Sequence, residues 1–197
     1  EGTGTEPVTP TTQKDAPNFR SYLATREYTS IDRTFSGIEV LQDSLPGQED
    51  RMSNLKDDIE EQQRRAAATP SRWPTWGRIN SRFGWRTHPV TRTRDFHPAI
   101  DIAGPGIHGR QICATGTGRV TFAGSRSTYG NLVIINHGYG FETYYAHQSR
   151  IKVKVGDVVK GGTVIGYVGN TGRTTGSHLH YEVHRYGTAV NPVNYLP

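Results

Sequence analysis

Histidine is the residue type best placed to do chemistry in this chain, and its distribution is uneven. All eight histidines, His88, His97, His108, His137, His147, His178, His180 and His184, fall after Thr87. Imidazole is the commonest side-chain ligand for transition metals and a general acid or base near neutral pH. His178-Leu179-His180 opens the run HLHYEV, which reads as a strand. Residues two apart on a strand point to one face, so both imidazoles enter one site while Leu179 and Tyr181 face the other way. Glu182 and His184 continue the polar row. His97-Pro98-Ala99-Ile100-Asp101 supplies a further imidazole and a carboxylate, with Pro98 restricting the backbone between them. Two imidazoles and one carboxylate, with a position left for water, form a ligand set for catalytic zinc. Zinc lowers the pKa of such a water to about 7 and makes it a nucleophile at neutral pH. His147 closes the run Phe141–Ala146 and stands ready as a general base or acid. Spacing alone does not decide which of His178 and His180 holds the metal.

These groups need a scaffold, and the residues around them read as β structure. Beyond the breaker-rich stretch 66–78 (AAATPSRWPTWGR), short alternating or β-branched runs are separated by glycines. The runs are Gly118–Ala123, Asn131–Asn136, Phe141–Ala146, Ile151–Val155, Thr163–Val168 and His178–His184. Such spacing predicts a mainly β, antiparallel sandwich or barrel-like domain. Ahead of it, Ile31, Ile38, Leu45, Met52 and Ile59 recur every seven residues, with a second row three residues on that includes Gln48 and Gln62. This heptad pattern predicts a helical segment over 31–67, interrupted near Pro46-Gly47 and most regular over Asn54–Arg65. It reads as a stalk, a dimerising coiled coil, or a helix folded onto the domain. Residues 1–30, rich in Thr, Pro and charge, read as a disordered or linker segment. Charge divides the same way: residues 1–70 carry a net −5 and residues 71–197 a net +10. A basic domain suits a polyanionic partner. With one cysteine, Cys113, there is no intramolecular disulfide, and no apolar run reaches the length of a membrane-spanning helix. A chain opening at Glu1 reads as a mature or trimmed form whose targeting segment is not in view.

Three stretches carry a resemblance to a known family: SRFGWRTHPVTRTRDFHPAID, YAHQSRIKVKVGDVVKGGTVIGYVGNTGRTTGSHLHYEV and the closing NPVNYL. Residues 78–197 resemble the catalytic domain of lysostaphin- and LytM-type zinc metallopeptidases, peptidase family M23. With the composition and heptad readings, this divides the chain into 1–30, the helical segment 31–67, a linker 68–77 and the peptidase-like domain 78–197, the last of these being what the resemblance covers. It implies one Zn2+ held by His97, Asp101 and His180, with His147 and His178 as non-ligand histidines that assist proton transfer and stabilise the oxyanion. It also implies hydrolysis of peptide cross-links in bacterial peptidoglycan, in the cell envelope outside the cytoplasm, with no nucleic-acid partner. Glu182 reads either as a partner that fixes a histidine tautomer or as a solvated strand residue. His88, Tyr129, Tyr145 and Asn80 become candidates for the substrate groove. Two departures stand out: Ala99 occupies a position where the family usually has glycine, and Arg110 one where a small or apolar residue is frequent. The competing role is that of a regulator that activates another wall hydrolase through its helical arm, since some members have lost their zinc ligands. Self-association or a partner protein at residues 31–62, and cover of the groove by the helix, belong to the same set of expectations. A lipoyl-type carrier, suggested by VKVGDVVKGGTVIGYV, leaves the histidines unexplained.

Overall fold

The computed structural model describes residue 36 and residues 47–87 and 93–197; the expected heptad positions up to Leu45, and His88, lie outside these. The chain divides into two units, Glu1–Asp57 and Asp58–Pro197. Residues 47–68 are helical (α1), which takes in the regular half of the heptad pattern. Met52, Leu55 and Ile59, spaced for one helix face, are 70%, 55% and 47% exposed. No helix among the described residues is long and apolar enough to cross a membrane.

The expected fold class is observed: among the described residues, thirteen strands follow α1, and every pairing between them is antiparallel. The largest sheet has the order β1 (Arg78–Ser81), β4 (Ile100–Ala103), β12 (Leu179–Arg185), β8 (Phe141–Ala146), β7 (Gly130–Gly138), β6 (Gly118–Arg126) and β10 (Val158–Val159), with β13 (Thr188–Val190) also paired to β12. A second sheet joins β5 (Gln111–Cys113), β11 (Val164–Val168) and β9 (Gln148–Ile151). A two-stranded ribbon pairs β2 (Gly84–Thr87) with β3 (Arg94–His97). The strand expected at Ile151–Val155 sits earlier, because the chain leaves the ladder after Ile151 to make a turn closed by Lys154 N–H donating to Asp157 Oδ2.

Alternation along β12 sets the two faces. Leu179, Tyr181 and Val183 are fully buried and join Ile100, Ile102, Ile112 and Ile165 in the main core. His180, Glu182 and His184 point the other way, as period-2 geometry requires. Beneath that second face, Leu132, Ile134 and Ala146 form a smaller apolar cluster with Phe122, Tyr129 and Tyr144. A buried polar chain also crosses the main core. Tyr145 Oη meets Thr115 and Thr143, and Thr143 Oγ1 lies 2.7 Å from His137 Nε2. His137 Nδ1 donates to the Thr117 carbonyl, and this histidine is buried in the core. The last turn of α1 is tied to the same region: Thr117 N–H donates to Ala67 O, and the Arg65 guanidinium lies over the Tyr139 ring. Tyr139 precedes β8 and His147 follows it, so residues 58–68 dock at the end of that strand away from His147.

Burial pushes the His137 pKa below its ordinary 6.5. The unfolded chain therefore binds a proton more readily, and His137 costs stability as pH falls below that value. We expect the wild-type midpoint to decline from pH 7 to pH 5, and His137→Gln, though less stable at pH 7, to decline less steeply. The difference in slope is at most about 1.4 kcal/mol per pH unit. Chemical denaturation at a series of pH values measures it, and parallel slopes would contradict the assignment.

Candidate metal centre

Strand register assembles the centre. Asp101 on β4 and His180 on β12 are direct Cα partners, and His180 is opposite Ala146 at the end of β8. His97 closes β3 next to the turn into β4 and is buried. Ala99 in that turn is fully buried without a positive φ, so alanine fits there in ordinary backbone geometry. The pairing thus places residues far apart in sequence side by side. Asp101 Oδ1 lies 3.2 Å from His97 Nε2 and 3.0 Å from His180 Nδ1. Among the described residues, these three form the cluster able to hold a metal ion.

The outer nitrogen of each imidazole decides what its inner nitrogen can do. His97 Nδ1 is 3.0 Å from the Arg82 carbonyl, which can only accept, so Nδ1 carries the hydrogen. His97 Nε2 is then a lone pair, buried without a hydrogen-bond partner and facing a carboxylate oxygen that is also an acceptor. Two buried acceptors facing each other at that distance are unfavourable until a cation lies between them. His180 Nε2 is 2.8 Å from Glu182 Oε1, which directs its Nδ1 toward Asp101. Burial opposes charge on His180, but Asp101 and Glu182 outweigh it and raise its pKa to about 9. Burial likewise works against ionised Asp101, while His180 and His97 hold it well below the usual carboxylate range. The pair of carboxylates thus calls for positive charge at the position between them. The residues fit a zinc ion: two imidazole nitrogens and one carboxylate oxygen converge, each with an oriented outer group.

Glu182 is the outer anchor. It is 1% exposed, yet both oxygens are engaged. Oε1 accepts from His180 Nε2 and from Tyr129 Oη at 3.0 Å, and Oε2 meets His184 Nε2 at 2.6 Å. Burial favours the neutral acid, but His180 and His184 bring the Glu182 pKa to about 2. His184 also stacks on Tyr144.

His147 and His178 follow the same pattern. Their Nδ1 atoms donate to the carbonyls of Thr171 and Gly176, both at 2.8 Å, and their rings lie 4.8 Å apart. Each therefore turns Nε2 away from its carbonyl, and His178 Nε2 is 3.7 Å from Asp101 Oδ1. His147 has φ +60, a region that non-glycine residues seldom occupy and histidine tolerates better than most. Its N–H donates to the Tyr129 carbonyl, which helps hold this backbone. The Thr171 loop reaches it because Gly130 lacks a side chain: a Cβ there would collide with the Thr171 backbone. Burial brings the His147 pKa down to about 4, so it is neutral at pH 7.

A cavity of about 440 Å³ opens over these groups. Asn80 and Tyr129 line it, as do Arg86 and Arg173. Tyr145 does not: it is fully buried in the main core, because alternation along β8 sends it to the face opposite Tyr144. Trp76 is 84% exposed, and Trp85 stands 65% exposed on β2 against Phe96 and Arg94.

Comparison with known proteins agrees with this geometry. Residues 95–192 match the family described as Peptidase family M23. The DD-carboxypeptidase/endopeptidase Mpg of Neisseria meningitidis serogroup B is 49% identical over 117 residues, 59% of this chain and 26% of that protein. The murein hydrolase activator NlpD of Escherichia coli K12 is 39% identical over 127 residues, 64% of this chain and 31% of that protein. The chain thus spans about a quarter to a third of the length of these curated relatives. A zinc-containing peptidase from Vibrio cholerae superposes with TM-score 0.58 at 36% identity, covering 62% of this chain and 39% of that one. A variant of the catalytic domain of the prophage-encoded M23 protein EnpA from Enterococcus faecalis superposes with TM-score 0.53 at 36% identity, covering 62% of this chain and 95% of that one. The chain belongs to peptidase family M23.

Proposed function

We propose that this protein is a zinc-dependent endopeptidase that hydrolyses peptide cross-links of bacterial peptidoglycan. The observation that carries the reading is the convergence of the His97 Nε2 lone pair, Asp101 Oδ1 and His180 Nδ1 beneath an open cavity. His97, Asp101 and His180 would hold the ion, whose chemistry is Lewis acidity toward a carbonyl oxygen and a water. The remaining roles fall to side chains of this chain. His147, neutral and with Nε2 unprotonated, accepts the proton of the attacking water. His178, oriented the same way by Gly176, stands beside it; the protonated partner of the pair stabilises negative charge on the carbonyl oxygen and returns a proton to the leaving nitrogen. Glu182 keeps the His180 Nε2 hydrogen in place and so reserves Nδ1 for the metal. The walls of the site include Tyr129 and Asn80, and the basic character of residues 71–197 favours approach to an anionic wall polymer.

The relatives that act on murein or carry DD-peptidase names support a place of action in the envelope outside the cytoplasm. The exposed Met52, Leu55 and Ile59 stripe supports self-association or a protein partner on the helix. Similarity to a murein hydrolase activator is the observation that favours a regulator instead. Against it stands the complete set of three candidate ligands and two oriented histidines, which a purely activating domain has no need to retain.

The deciding experiment measures zinc content and digests purified peptidoglycan with one preparation of wild type and His180→Ala. We expect one zinc per chain and new peptide ends by mass spectrometry for wild type, and neither for the variant. Zinc without new ends on walls of several chemistries would overturn the endopeptidase reading in favour of the activator. A second expectation concerns Glu182→Gln, which keeps shape but removes the charge behind His180. Zinc affinity by chelator competition should fall about 10- to 100-fold, with the fold retained by circular dichroism. Unchanged affinity would remove Glu182 from the centre.

A further inference from the structure

Arg86 has hydrogen-bonding capacity to spare at the cavity wall. It leaves β2, lines the cavity and has a side chain 26% exposed. Its Nη1 meets Asp101 Oδ2 at 3.4 Å, long for a charged pair. Its Nε is buried and has no hydrogen-bond partner. A guanidinium carries five N–H donors in a rigid fork, and a buried donor left unmade is costly. The neighbouring acids do not take them: Asp101 Oδ1 is turned to the imidazoles, Glu182 is spent on His180, Tyr129 and His184, and Asp95, opposite Arg86 on β3 and on the same cavity wall, is not ion-paired with it. An arginine in this condition, facing an open cavity, fits a carboxylate supplied from outside.

We propose that Arg86 binds a substrate carboxylate, the one on the carbon that bears the leaving nitrogen. The proposal rests on the peptidase reading and specifies which bonds the site prefers. In a stem peptide ending in D-Ala-D-Ala, that carbon carries the terminal carboxylate. In a cross-link through the side-chain amine of diaminopimelate, the carbon next to that amine also carries a free carboxylate. Inside a glycine bridge it carries an amide. One arginine beside a metal ligand thus serves carboxypeptidase and endopeptidase cleavage of D,D bonds alike and disfavours internal glycine bonds. Arg86 sits one carboxylate width from the converging nitrogens, since the two oxygens of Asp101 face the two groups.

The test uses the zinc-loaded full chain and two peptides, L-Ala-γ-D-Glu-L-Lys-D-Ala-D-Ala with a free C-terminal carboxylate and the same peptide as its carboxamide. Binding is read by calorimetry, and cleavage as KM and kcat. Wild type should favour the carboxylate by about tenfold or more, chiefly in Kd and KM. Arg86→Gln should erase the preference with zinc stoichiometry unchanged, and Arg86→Lys should keep part of it. Arg173→Gln, on the exposed side of the same cavity, should weaken both peptides alike. Equal use of both peptides by wild type overturns the proposal. So does a preference that survives in Arg86→Gln, or one that disappears in Arg173→Gln instead. Loss of zinc from Arg86→Gln would reduce Arg86 to a support for Asp101. Carboxylate-selective binding through Arg86 without cleavage would leave the subsite standing and overturn the peptidase reading alone.

Discussion

The centre depends on hydrogen bonds made by the outer edges of its imidazoles. A histidine offers one lone pair, and its position is fixed by whatever the other nitrogen donates to. His97 gives its Nδ1 hydrogen to Arg82 O, His147 to Thr171 O, and His178 to Gly176 O, while His180 gives its Nε2 hydrogen to Glu182. Three of the four acceptors are main-chain carbonyls, so the tautomers follow from where the backbone runs. With the outer nitrogens committed, the inner nitrogens of His97 and His180 converge on Asp101, while His147 and His178 stand beside them with Nε2 turned away from their carbonyls. Were any outer acceptor to move, the corresponding inner nitrogen would present a hydrogen instead.

The fold serves this arrangement at each level. The β4–β12–β8 order puts Asp101, His180 and the start of His147 in one row across three strands. The core face of β12 is apolar throughout, which locks its register, since a slip of one residue would bury His180 and expose Tyr181. Two loops then complete the site. Gly130 lets the Thr171 segment approach closely enough to orient His147, and the turn after Gly176 orients His178. The strained φ of His147 is sustained by these bonds and by its N–H to Tyr129. Opposite charges therefore meet in a site whose backbone is over-determined, and the Glu182 carboxylate keeps its charge while almost fully buried.

Much of this was legible in the sequence because it follows from strict periodicities. The two-residue spacing of His178-Leu179-His180-Tyr181-Glu182 places His180 and Glu182 on one face and buries Leu179 and Tyr181, as observed. Glycine-bounded runs marked β6, β7, β8, β11 and β12. The short strands β1 to β5 were harder to see, since they are only three or four residues long. Tyr145 was misplaced among the groove candidates because two adjacent tyrosines on a strand look alike in sequence, although only one can face the site. The settings of His137 and His184 were not legible either. Nothing local signals that Thr143 and Thr117 satisfy one, or that Glu182 and Tyr144 hold the other. Arg86 carried no signal either, because its significance lies in donors that the rest of the cavity leaves unused.

The most direct measurement of the central claim is two-dimensional 15N–1H NMR of the histidine rings in zinc-loaded protein, using long-range couplings to assign tautomers. The account predicts zinc on Nε2 of His97 and on Nδ1 of His180, with a hydrogen on Nε2 of His180. It also predicts His147 as a neutral ring protonated at Nδ1 at pH 7, and a hydrogen on Nδ1 of His178. Zinc on His180 Nε2, a zinc-bound His178, or a His147 protonated at Nε2 would contradict it.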